Sequence, residues 1–157
     1  MTSTATLRQA LGVSDAPLVN ASLATTIQFF ELTLNVQPLD WLDYLKGIDF
    51  HNIVSVATLP RHKKLVRYDS LGARRLIPFG YFTESGVSPF HLGLSPSEWV
   101  FKEFTVVAPT KALVSTASGI KFGKGDPVSR IGGGAQYIVS RADWPKLLRV
   151  GSPSRAS

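Results

Sequence analysis

Apolar positions recur at helical spacing in the first third of the chain, then give way to short β-branched and aromatic runs. In STATLRQALG, Leu7 and Leu11 stand four apart behind a Ser/Thr cap, and Gly12 supplies the stop. NASLATTIQFFELTL sets Leu23, Ile27, Phe30 and Leu34 along one face, with Asn20 or Ser22 as cap. Its second half, rich in Thr and Phe, fits a strand as well. PLDWLDYLKG aligns Leu39, Leu42 and Leu45, with Pro38 near the start and Gly47 as C-cap. From residue 52 the runs NIVSVATLP, KKLVRYD, GYFTES, EWVFKEFTVVAP, ALVSTAS and AQYIVS read as strands, separated by Gly, Pro, Ser and Asp. RADWPKLLRV reads as a short terminal helix with Pro145 in its first turn. The pattern is α+β, helices first and a strongly bent antiparallel sheet after them. It divides the chain into an acidic helical subdomain at 1–48, a β core at 49–150 and a polar tail at 151–157, expected to fray.

Charge sharpens this division. Only Arg8 and Lys46 of the 17 basic residues precede residue 51, where Asp15, Glu31, Asp40, Asp43 and Asp49 outnumber them. The remainder is strongly basic, and the net charge is +6. A basic β part suits an anionic partner: nucleic acid, a phosphorylated small molecule or an acidic protein. A merely solvated basic surface is the plainer alternative. Length and an apolar fraction of 44% fit one domain with a single core.

The absence of cysteine excludes disulfides, thiolate catalysis and cysteine–zinc sites. His51, His62 and His91 lie far apart, none in an HExxH spacing, so no metal site is expected. No apolar run approaches the roughly 18 residues of a membrane-spanning helix. The first residues lack a signal-peptide pattern, so export is expected by another route or as part of a larger carrier.

No Ser-His-Asp or Cys-His set is arranged locally, and the β part holds only Asp69, Glu84, Glu98, Glu103, Asp126 and Asp143 as acids. Two-carboxylate hydrolysis is therefore poorly supplied. The phosphate loop GxxxxGK[ST] and the fingerprint GxGxxG are both absent. Four stretches remain. LVRYD puts Leu65, Arg67 and Asp69 on one side of a strand and Val66 and Tyr68 on the other, and an arginine so placed suits bidentate phosphate binding. PFGYFTESG offers Tyr81 or Phe82 to stack on a flat ring, then Thr83 and Glu84. EWVFKEF is a long mixed strand. GGGAQYIV brings Gly132, Gly133 and Gly134 directly before Gln136. Each has a plainer reading. Arg67 can pair with Asp69 or Glu103, the aromatics can be core, the glycines can form a simple turn, and Gln136 can be an ordinary strand residue.

Taken in this order, the stretches resemble the NAD-glycohydrolase toxins, the group of the tuberculosis necrotizing toxin domain and of NADase domains in polymorphic toxins and type VI secretion effectors. The likeness covers about residues 39 to 140, and GGGAQY is its most specific part. It implies an ADP-ribosyltransferase-like fold that cleaves the nicotinamide–ribose bond of NAD(P)+ as substrate, with no further cofactor. Carried onto this chain, Arg67 would hold the pyrophosphate. Phe82, with Thr83 beside it, would wall the nicotinamide site, and Tyr68 and Tyr81 are further substrate-binding candidates. Gln136 would fix the nicotinamide ribose, and Gly132, Gly133 and Gly134 would bring backbone close. Such transferases carry a second, acidic residue on the late strand; here Tyr137 and Ile138 follow Gln136, which favours transfer to water. The resemblance also implies delivery by secretion machinery into a target cell's cytoplasm and a cognate immunity protein, for which the basic face suits an acidic inhibitor. A mono-ADP-ribosyltransferase is the alternative. A basic binding module for nucleic acid or an acidic partner is a third, disfavoured because no RNA-binding signature is present.

Overall fold

The computed structural model describes residues 2–70, 78–87, 99–118 and 133–155. Helix α1 (Thr4–Leu11) starts at Ser3, whose hydroxyl accepts from Thr6 N–H, and stops at Gly12 in the left-handed region at φ 67°. Helix α2 (Pro17–Gln28) begins at Pro17, earlier than the expected caps Asn20 and Ser22, because proline's fixed φ suits the first helical position. It runs on as a π-helical turn over Phe29–Leu34 and ends at Asn35, φ 56°. The Thr- and Phe-rich half is thus helical, not strand. Pro38–Trp41 forms a 3-10 turn leading into the single turn α3 (Leu42–Leu45).

Among the described residues the sheet has seven antiparallel strands: β1 (Ser55–Leu59), β2 (Lys64–Ser70), β3 (Phe79–Thr83), β4 (Trp99–Val106), β5 (Thr110–Thr116), β6 (Ala135–Ser140) and β7 (Leu147–Arg155). Their order is β1-β5-β6-β3-β2-β4-β7. Strand β7 corrects the expected terminal helix and frayed tail. The helical part is only the 3-10 turn Arg141–Lys146; the chain beyond it pairs with the otherwise open edge of β4. Pro153 is compatible because β7 is an edge strand and the pairing shifts register there, between Phe101 and Glu103.

Two cores lie on the two faces. The helices cover one face, where Leu7, Leu23, Ile27, Phe30 and Leu45 pack with Phe79, Leu113 and Ile138. Phe79 is fully buried and meets the rings of Phe30, Trp41 and Tyr44 edge-on at 5.3, 5.5 and 5.6 Å. Cutting it to alanine would cost about 3–5 kcal/mol. The acidic helical part therefore shares its core with the sheet. On the inner face, Leu59 of β1 joins Leu65, Phe82, Val106, Tyr137, Val139 and Leu147. Leu59 of β1 shares this buried cluster with Leu65 of β2 and Val106 of β4, strands far from β1 in the sheet order, which requires a strong bend. Among the described residues, no helix is long and apolar enough to cross a membrane.

Candidate active site

The register sorts the candidate residues by face. Thr83 pairs with Gln136, Gln136 with Ser115, and Val66 with Thr83, so these side chains form one row beneath the helices. Gln136 is 5% exposed, and its Nε2 donates to Gly47 O at 3.1 Å. Thr83 is buried and donates its hydroxyl to Ala135 O at 2.6 Å, holding the strand that carries Gln136. Tyr81, on the same face, donates to Tyr44 O at 2.6 Å. Burial, with the neighbouring Tyr44 adding to it, pushes the Tyr81 phenol well above its usual range. Tyr68 also belongs to this face, packs its ring 5.6 Å from Phe101, and donates to Val87 O at 2.7 Å. Burial raises its pKa.

A strap crosses this row. Three carbonyls of residues 44–48 accept from the sheet or from Ser118 beyond β5: Tyr44 from Tyr81, Lys46 from the Ser118 hydroxyl at 2.7 Å, and Gly47 from both Gln136 and Ser118 N–H. Ile48 bridges to Ala117. Gly133 donates to Ala117 O at 2.8 Å and Gly134 accepts from Ala117 N–H at 2.9 Å, so the glycine run carries the β5–β6 ladder up to Gln136. Gly133 sits at φ 83° with nothing within 4 Å of where a Cβ would stand. The positive φ is itself a conformation that calls for glycine. Gly132 lies outside the described residues.

Arg67 and Phe82 lie on the other face. The Arg67 guanidinium stands 4.8 Å from the Trp144 ring centroid and 5.6 Å from that of Phe82. A Cβ on Gly80 would meet Arg67 Nη1 at 2.3 Å and Trp144 Cζ2 at 2.6 Å, so only glycine fits beneath this stack. Arg141 approaches the same indole at 4.3 Å. The structure therefore brings Gln136, Thr83 and Tyr81 together and separates them from Arg67 and Phe82 by the thickness of the sheet. Parity inside LVRYD was readable from sequence; the register that turns Arg67 away from Gln136 was not.

Glu84 also turns to the inner face. It accepts from the Tyr137 hydroxyl at 2.5 Å and pairs with Lys63 at 3.2 Å. The Tyr137 hydrogen bond, then Lys63, hold its carboxyl below the usual range. Burial, then Glu84, raise the Tyr137 phenol. Glu84 is thus not the acid missing beside Gln136.

Two groupings were not foreseen. Ser115, in Gln136's row, is 3% exposed and its hydroxyl has no hydrogen-bond partner among the described residues. Its signal was a serine at the parity of Leu113 and Ala117, both core residues. His51 lies 3.3 Å from Ser14 through Nε2 and 3.5 Å from Asp49 through Nδ1. That is the order of a nucleophilic triad, but the histidine is 61% exposed and Asp49 is engaged by His51 N–H and Asn52. It staples the α1–α2 turn to the 49–52 turn. Among the described residues, no group of three or more His, Asp or Glu could hold a metal.

An α+β domain with helices over one face of a bent antiparallel sheet, and a buried amide following a glycine turn, is the class these features define. The chain belongs to the bacterial toxin 46 family, whose pattern matches residues 17–123. It is a bacterial toxin domain. Its fold is similar to the solved structure of Tse6 in complex with Tsi6, with a TM-score of 0.69 at 23% identity, covering 87% of this chain and 99% of that one. A second solved structure, Rhs1-CT in complex with cognate immunity protein RhsI1, matches with a TM-score of 0.46 at 19% identity, covering 71% of this chain and 86% of that one. No curated protein matches the chain.

Proposed function

We propose that this toxin domain is an NAD(P)+ glycohydrolase that depletes the cofactor of the cell it enters. The observation that carries the proposal is the Gln136 amide. It is held by Gly47 O on a strand that Thr83 fixes from its neighbour, next to a glycine turn. A pre-positioned amide costs no reorganisation when charge develops on a substrate. In the reaction, the bond from C1′ to the nicotinamide nitrogen breaks and its electron pair stays with nicotinamide. Water oxygen bonds to C1′, and one proton is released. Nicotinamide leaves neutral, so a strong general acid is not required. Gln136 orients the ribose, while Thr83 and the Gly133 turn set its position. We assign Arg67 a shaping role, stacked on Trp144 over Gly80, in place of the pyrophosphate contact.

Family membership supports a toxin, and the absence of an acid following Gln136 supports water as acceptor over a protein side chain. A cognate immunity protein is the proposed partner, since a cell making such a domain needs protection from it; the +6 charge suits an acidic one. Delivery by secretion machinery into the target cell's cytoplasm follows from the same reading. The test is to incubate the purified chain with labelled NAD+ and cell lysate. Free nicotinamide and ADP-ribose are expected. Label retained on a macromolecule would favour the ADP-ribosyltransferase alternative.

A further inference from the structure

Among the described residues, Ser115 carries a buried hydroxyl with no hydrogen-bond partner. It stands directly across from Gln136 in the β5–β6 register, on the same face. Such cross-strand neighbours place their Cβ atoms about 5 Å apart. That spacing leaves the two polar ends near each other, yet Ser115 Oγ bonds to neither Gln136 nor the strap. The Gly47 carbonyl that receives Gln136 covers the same row. Leaving a buried hydroxyl unpaired is unfavourable, and alanine would pack the position without that cost. An unpaired hydroxyl thus stands cross-strand from the amide that Gly47 O holds.

We propose that Ser115 is a further residue of the site and that it recognises a hydroxyl group at Gln136. Resting on the glycohydrolase reading, this hydroxyl comes from the attacking water or from the nicotinamide ribose. Both sources present an oxygen that can donate and accept to the same pair of side chains. Thr83 does not compete for the role, because its hydroxyl is spent on Ala135 O.

The experiment is NAD+ cleavage by the parent chain and by Ser115→Ala, in water and in water–methanol mixtures, with thermal unfolding of both. Removing an orphan hydroxyl should leave Tm unchanged or slightly raised. If Ser115 holds the attacking water, kcat falls about five- to tenfold with KM unchanged, and the ratio of methyl ADP-riboside to ADP-ribose shifts. If it holds the ribose hydroxyl, KM rises by a similar factor and the product ratio stays as in the parent. Parental kcat, KM and product ratio together in Ser115→Ala overturn the proposal while leaving the glycohydrolase reading intact. So does a Tm drop of more than about 4 °C, which would assign the hydroxyl to the fold. A parent chain that releases no nicotinamide overturns both.

Discussion

On the helix-covered face of the sheet, polar side chains other than Ser115 end on backbone: Gln136 on Gly47, Tyr81 on Tyr44, Thr83 on Ala135. On the inner face they end on one another: Arg67 and Arg141 on Trp144, Tyr137 and Lys63 on Glu84. A side chain tied to main chain has its position set by the fold, which is what an oriented catalytic amide requires. A network of side chains instead joins strands and fills a bend. Strand β6 serves both purposes at adjacent residues, Gln136 toward the helices and Tyr137 toward the interior. On the proposed reading, chemistry and support are separated by one peptide unit, and substitutions should break one without the other.

The largest effect is expected from Gln136→Ala. Nicotinamide release should fall by about 100-fold or more while the folded signal persists. Turnover within twofold of the parent would remove the site from this face. On the inner face, Gly80→Ala should cost about 1–3 kcal/mol, since the new methyl collides with Arg67 and the Trp144 ring. Urea denaturation would read that loss, and turnover per folded molecule should stay near parental. A hundredfold loss of turnover at parental stability would make the inner face catalytic and reverse the comparison. Gly133→Val should cost about 1 kcal/mol through backbone strain at φ 83°, not through a clash.

The smaller effects depend on pH. The Glu84 carboxyl is lowered in the folded chain, so its contribution is present above the unfolded carboxylate pKa and is lost as pH falls through the folded one. Glu84→Gln should flatten the acid limb of a Tm-versus-pH curve while leaving neutral-pH turnover near parental. The phenols run the other way. Tyr68, Tyr81 and Tyr137 are raised above 10.0, so their contribution is complete below that pH and fades as pH climbs through their folded values. Phenolate absorbance should lag behind that of free tyrosine and appear together with alkaline unfolding. Appearance of the three phenolates near pH 10 in a still folded chain would contradict the burial argument.

Local signals carried much of this fold. Ser3 and Gly12 bound α1 because caps act over three or four residues, and the period of two in AQYIVS and KKLVRYD marked strands. Contacts between distant segments were not legible. Strand β7 exists because the β4 edge lies beside it, although GSPSR by itself reads as tail. Gln136 could be singled out from its glycines, but its acceptor Gly47 lies 89 residues earlier. Arg67 was grouped with Gln136 because sequence shows parity within a strand and not which face of a neighbour it meets. The Ser14–His51–Asp49 staple is the same kind of case, joined only when the α1–α2 turn folds over residues 49–52.

The most direct measurement is nicotinamide release from NAD+ by the parent chain, Gln136→Ala and Arg67→Ala in one assay, with unfolding curves for each. We expect the parent to cleave. Gln136→Ala should remain folded and lose about 100-fold or more, whereas Arg67→Ala should unfold at a lower temperature and keep its turnover per folded molecule. The opposite pattern, with Gln136→Ala active and Arg67→Ala folded but inactive, would contradict the assignment of chemistry to the helix-covered face.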